Sequence, residues 1–253
     1  MNVWKEAVMI LSFSNSTNQQ LDSQRMITRW IQRKGHDRLL IFFNGWGMDG
    51  AIAAFLQSNT SADFDHDVLL CYDYRSTAMH AGILGSVGSY TARTLVAWSL
   101  GVWAAGRAGL DGIDRALAIN GTLTPVNDDE GIPPDLFRAT LEGYDEENRR
   151  RFMRRMCGSN ASLGKFSALA PQRDARDQKG ELACILRDVL EDDRDGGPSW
   201  NYTHALVGGR DMIFPPEAQQ RAWHGIQCRL EEKMPHFPFF EYSSWQEICA
   251  CME

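Results

Sequence analysis

After Arg38 the chain reads Leu39-Leu-Ile-Phe-Phe43, an apolar run of strand length with nothing polar inside it. A strand that buries one face alternates apolar with polar residues. One that is apolar throughout must be covered on both faces, the condition of a parallel sheet lying between helices. Comparable runs follow at residues 68–72, 94–98, 116–119 and 205–207. Helical stretches separate several of them, most clearly at residues 102–108 and 216–227. Strands alternating with helices demand right-handed crossovers, so the expected fold class is α/β, with a mostly parallel, doubly wound sheet.

Between residues 122 and 198 the pattern changes to a charge-rich, helical segment without a buried-strand candidate, closing on the turn-forming Asp195-Gly-Gly-Pro198. The expected organisation is a core of residues 26–121 and 199–253, with 122–198 a helical lid insertion over the carboxyl edge of the sheet. Ligands bind at that edge in open α/β sheets. Residues 1–25 are polar and weakly patterned, and are expected to form a tail outside the core.

A net charge of −7 argues against a nucleic-acid binder. No stretch approaches the about 20 apolar residues of a membrane span. The short apolar run at residues 7–11 follows Glu6 and leads to no clear small-residue cleavage site, so it does not read as a signal peptide. Six cysteines show neither a C-x-x-C pair nor Cys/His metal spacing. They read as reduced thiols of a cytoplasmic protein that needs no metal.

Chemistry enters at Leu95-Val-Ala-Trp-Ser-Leu-Gly101, where a strand runs into a serine and then directly into a helix. This is a nucleophile elbow of the form A-x-S-x-G, with Ala97 in place of the usual first glycine. Such a turn needs small residues two before and two after the serine, here Ala97 and Gly101. The competing reading of Ser99 is a plain helix N-cap.

A serine hydroxyl needs a base, and in the α/β-hydrolase fold the order is Ser, then acid, then His. Asp211 follows the strand at 205–207 in a Gly-containing loop before a proline-started helix, where the orienting acid belongs. His236 sits in the proline-bounded Met234-Pro-His-Phe-Pro238, downstream of Asp211. His36, His66 and His80 precede Ser99, while His204 falls on a strand and His224 in a helical stretch. A surface acid and a structural loop histidine are the competing readings. Backbone amides for an oxyanion hole are expected from Leu100 and from Trp46, in the glycine-flanked loop Asn44-Gly-Trp-Gly-Met48.

With these residues in hand, the sequence resembles the BioG-type pimeloyl-[acyl-carrier-protein] methyl ester esterases of biotin synthesis. The likeness rests on Ile41-Phe-Phe-Asn-Gly-Trp-Gly-Met-Asp49, Cys71-Tyr-Asp-Tyr-Arg75, Ala97-Trp-Ser-Leu-Gly-Val-Trp103, Ala118-Ile-Asn-Gly-Thr122 and Met234-Pro-His-Phe-Pro-Phe239. It covers roughly Met26 onward; the preceding tail is a departure the family pattern does not require. The resemblance implies hydrolysis of a methyl ester on a carrier-bound pimeloyl chain, without metal or organic cofactor. It also implies an acyl carrier protein as partner. Carriers are acidic, and Arg149, Arg150, Arg151, Arg154 and Arg155 form the densest basic cluster, within the insertion. The same arginines also fit a solvated face balanced by Asp145, Glu146 and Glu147. Two other readings stay open: a generic carboxylesterase or thioesterase on the same residues, and a non-catalytic ligand-binding module.

Overall fold

The computed structural model describes residues 25–191 and 198–253. Apart from Arg25 and Pro198, the expected tail and the turn at 195–198 lie outside the described residues. The runs identified above form β2 (Arg38–Phe43), β3 (His66–Tyr72), β4 (Ala92–Trp98), β5 (Arg115–Ile119) and β6 (His204–Gly208). Two edge strands complete the sheet: β1 (Ile27–Gln32) and β7 (Gln227–Glu231). Among the described residues the strand order is β1-β3-β2-β4-β5-β6-β7. Every pairing is parallel except that of β1 with β3.

Burial explains which strands announce themselves. The central residues of β2 and β3 are wholly buried, so water tolerates nothing polar there. Strand β1 is half-exposed, and β7 is exposed along nearly its whole length, so neither carries an apolar run. The expected helix at 216–227 is correspondingly shorter. It forms α8 (Pro216–Ala222), stops before Gly225 with φ +102°, and yields to β7.

The core crossovers use α1 (Ala51–Asn59), α2 (Ala81–Gly88) and α3 (Leu100–Ala105), and α9 (Trp245–Ala250) closes the chain. Helix α3 begins directly after Ser99, as the elbow reading expects, and ends at Ala105, short of the helical stretch expected to 108. Because β2 pairs in parallel with both β3 and β4, Phe43, Cys71 and Ala97 stand in register. The parallel strands therefore end at one edge, bringing the loops after residues 43, 72, 98, 119 and 208 together.

Above that edge lies the helical insertion, made of α4 (Pro134–Glu142), α5 (Glu146–Cys157), α6 (Asn160–Phe166) and α7 (Ala175–Leu190). Helix α5 shows why so charged a segment folds. The Asp145 side chain accepts from the Asn148 N–H, Glu146 and Glu147 occupy the first turn, and Arg154 and Arg155 the last. Gly158, at φ +69°, ends it. Phe152, Met153 and Met156 point inward; burying side chains of this size stabilises by about 1.5–3 kcal/mol each. No helix among the described residues is long and apolar enough to cross a membrane.

Candidate active site

Ser99 stands between the last residue of β4 and the first of α3, with φ +60° and ψ −131°. That conformation lifts its side chain above the sheet edge. The turn is held from below by the Ser99 N–H, which donates to the Ile119 carbonyl at 2.9 Å. Two glycines make room for it. A Cβ on Gly101 would lie 2.4 Å from the Asn44 carbonyl oxygen, and one on Gly121 only 2.2 Å from that of Ser99. Gly101 is therefore small because the loop after β2 crosses it. Gly121, at the end of β5, is the further requirement that the pentapeptide does not reveal. Gly121→Ala is expected to destabilise by about 1–3 kcal/mol, the cost of overpacking a closed site. Urea denaturation measures this, and a wild-type midpoint would show that the elbow can shift freely.

From Ser99 a hydrogen-bond chain runs inward. His236 Nε2 lies 2.9 Å from Ser99 Oγ, and His236 Nδ1 lies 2.8 Å from Asp211 Oδ2. All three residues are buried. Asp211 Oδ1 accepts the Ile213 and Phe214 N–H groups at 2.7 and 2.9 Å, and Oδ2 also accepts Gln219 Nε2 at 3.1 Å. The carboxylate is thus fully engaged, in one orientation. The Phe214 ring lies nearly parallel to the imidazole, with centroids 6.1 Å apart.

The loop carrying His236 is anchored by residues to which the sequence assigns no role. Asn120 Nδ2 donates to the carbonyls of Pro235 and His236, while its Oδ1 accepts the Gly208 N–H. Asn120 adopts φ +47°, a conformation asparagine tolerates better than most residues. The Trp98 indole N–H also donates to the His236 carbonyl, at 2.8 Å. The Asn120 string is visible in the sequence, but nothing local says that its amide reaches residues 115 and 116 positions away. The other histidines lie elsewhere: His80 caps α2, His66 pairs with Asp65, His204 begins β6 and His224 follows α8 in a turn.

Trp46 and Leu100 both border a cavity of about 270 Å³ that has Ser99 in its wall. In the loop after β2, the amides of Gly45, Gly47 and Met48 donate to Asn44 Oδ1, Glu181 Oε2 and the Gly45 carbonyl. The Trp46 N–H between them has no protein acceptor among the described residues. Leu100 begins α3, where backbone N–H groups lack intrahelical partners. Trp46 and Leu100 thus both border the cavity that Ser99 lines.

The cavity is lined mainly by apolar side chains, among them Ile132, Leu136, Phe152, Leu182 and Met212. Arg155 is the charged residue in its wall. A second cavity, about 260 Å³, shares Leu136, Thr140, Phe152 and Arg155 with the first and continues to Arg151 and Asn148. The five arginines of α5 are thus unequal. Arg149 is held by Glu146 and the Pro171 carbonyl with little exposure, whereas Arg150, Arg151, Arg154 and Arg155 are exposed. Arg151 pairs with Glu147, and Arg150 donates to the Glu146 carbonyl.

Residues 26–248 match the family model for pimeloyl-ACP methyl esterase BioG. An uncharacterized protein of Haemophilus influenzae is 34% identical over 228 residues, covering 88% of this chain and 99% of its own. A Bacteroides fragilis malonyl-[acyl-carrier protein] O-methyltransferase is 40% identical over 190 residues. That match takes in 73% of this chain but only 36% of the longer relative. Among solved structures, that of BioG from Haemophilus influenzae superposes with a TM-score of 0.78 at 30% identity, covering 90% of this chain and all of the other. A lipase-esterase related protein from Clostridium acetobutylicum shares the fold at 12% identity, with a TM-score of 0.55 and coverage of 89% and 96%.

Proposed function

The chain belongs to the pimeloyl-ACP methyl esterase BioG family, and from that premise we propose that it hydrolyses the methyl ester of a pimeloyl chain borne on acyl carrier protein, in biotin synthesis. The observation that carries this reading is the hydrogen-bonded Asp211–His236–Ser99 chain ending in the wall of an apolar cavity. In the proposed reaction His236 Nε2 takes the Ser99 proton as Oγ attacks the ester carbonyl. The oxyanion forms toward the N–H groups of Trp46 and Leu100. Collapse breaks the bond to the methoxy group, which leaves as methanol with the proton from His236. Water, deprotonated by the same imidazole, then cleaves the acyl-enzyme and releases a carboxylate. Asp211 orients the imidazole and stabilises its charged form.

Cavity chemistry supports the substrate class. A chain of methylene groups suits the apolar walls, and the second cavity offers a more polar route from the chain's far end to the surface at Arg151. The direct test is purified protein with pimeloyl-carrier methyl ester, read by mass. The expected product is lighter by one CH2, with the thioester to the carrier intact. Release of the carrier's free thiol would establish a thioesterase instead, and equal turnover of short free esters a generic esterase.

Carrier docking at the mouth gives a second expected result. Arg151→Glu with Arg155→Glu should raise KM for the carrier-bound substrate several-fold, more at low salt than at high, because exposed charges are screened within about 10 Å at 0.1 M. Hydrolysis of a small soluble ester should barely change. Equal losses on both substrates would indicate a damaged cavity wall, and no change on either would remove these arginines from the docking surface.

A further inference from the structure

We propose that Gln178 and Glu181, one turn apart on α7, are positioning residues that hold the Trp46 amide in place to receive the oxyanion. The inference rests on the esterase reading above, and on Trp46 as one of the two donors.

Both backbone groups of Gly47 are taken by this helix. Gln178 Nε2 donates to the Gly47 carbonyl at 2.8 Å, and the Gly47 N–H donates to Glu181 Oε2 at 3.1 Å. Gly47 has φ +72°, so the loop bends sharply here, and a Cβ would lie 3.1 Å from the Gln178 amide. The Trp46 side chain is tied to the same helix, its indole N–H donating to the Gln178 carbonyl at 2.8 Å. Trp46 is thereby fixed at its side chain and at the peptide following it. On the preceding side, Asn44 Oδ1 accepts the Gly45 N–H. What remains unengaged in the loop is the amide of Trp46, a residue that lines the same cavity as Ser99.

Glu181 is an expensive residue for a merely structural contact. It is completely buried, and its other oxygen accepts the Tyr74 N–H at 2.8 Å. Arg173, from the segment before α7, bonds Oε2 at 2.7 Å and also approaches Asp73 at 3.3 Å. Arg75 and Asp177 close the outer side of this network, paired with each other. Every group within hydrogen-bonding distance of the Glu181 carboxylate is a donor. A protonated Glu181 would aim its own O–H at one of them and lose an acceptor. Burial pushes its carboxyl up to about 7, against the pull of Arg173, so the change falls in the working range.

The helix belongs to the insertion while the loop belongs to the core, so the clamp makes the oxyanion hole depend on the insertion being seated. Neither residue borders the main cavity. Their loss should therefore act on kcat and leave KM nearly unchanged.

The test compares wild type with Glu181→Gln and with Gln178→Met, which leaves the charged network intact. On a methyl ester, each should lose about 10- to 100-fold in kcat, less than or equal to the loss of a whole oxyanion donor. Inactivation by a fluorophosphonate, which places a P–O in the same hole, should slow in parallel. In wild type, kcat should fall as pH drops through about 7 in part because Glu181 gains a proton; Glu181→Gln should lose that component. Folded variants with wild-type kcat and phosphonate rates would overturn the clamp. So would parallel rises in KM with unchanged phosphonate rates, the mark of a distorted cavity. A wild-type protein that neither cleaves the ester nor reacts with the phosphonate would instead overturn the esterase reading, and the clamp with it.

Discussion

Ser99→Ala is expected to reduce ester hydrolysis by about 10⁴-fold or more, the loss seen when a nucleophile is deleted from a cooperating triad. The structure makes the substitution clean. The hydroxyl's hydrogen-bond partner is His236 Nε2, and the backbone of the elbow is held by other groups. Alanine should therefore leave Tm unchanged or slightly raised. A variant keeping a tenth of wild-type activity would show that Ser99 is not the nucleophile. A companion variant separates chemistry from conformation. Serine at φ +60° and ψ −131° is outside the common regions, and residues held there store about 1–3 kcal/mol. Ser99→Gly relieves that strain, offset by about 0.4–1 kcal/mol of extra unfolded-state entropy. It should be equally inactive yet melt above Ser99→Ala. The reverse order of melting would mean that the elbow is unstrained.

The parts of this architecture legible in the sequence are those where burial forces a pattern. Strands β2 to β6 show as apolar runs because water is excluded from them; β1 and β7 at the sheet edges do not, since exposed backbone can carry Thr28, Arg29 or Arg229. Ser99 stands out as a candidate because a strand, a serine and a helix meet in seven residues. Asp211 and His236 followed from chain order and from proline- and glycine-marked loops. Asn120, Gln219, Gln178 and Glu181 could not be found this way. Each works through a contact with a residue distant in sequence or across an element boundary, and a lone amide or carboxylate has no local signature. The same limit applies to Gly121, whose need to be small is set by Ser99, from the neighbouring strand. Helix α5 shows a milder form. Its arginines are obvious as a cluster, but only packing separates Arg149, tied down at Pro171, from Arg155 in the cavity wall.

Asp211→Asn is expected to lower kcat by about 10⁴-fold with little change in KM, as for the equivalent change in a serine protease triad. The reason lies in the hydrogen-bond pattern of this carboxylate. Oδ1 accepts two backbone N–H groups, from Ile213 and Phe214. An asparagine that turned its NH2 toward them would oppose donors to donors, leaving two buried N–H groups unsatisfied at about 1–3 kcal/mol each. The amide is therefore driven the other way, with oxygen on the backbone and NH2 facing His236 Nδ1 and the Gln219 amide. A donor at that position requires Nδ1 to be an acceptor, which moves the neutral imidazole's proton to Nε2. The nitrogen facing Ser99 at 2.9 Å then already carries a proton, and with its lone pair in the ring's π system it cannot accept the serine's. The base is lost although every heavy atom stays in place. Gln219 makes the outcome sharper, because its Nε2 already donates to Asp211 Oδ2 and would now meet a second donor. Nitrogen-15 shifts of His236 would read the tautomer directly. Protonation remaining on Nδ1 in the variant, or a loss of activity below tenfold, would mean that Asp211 does not orient the base.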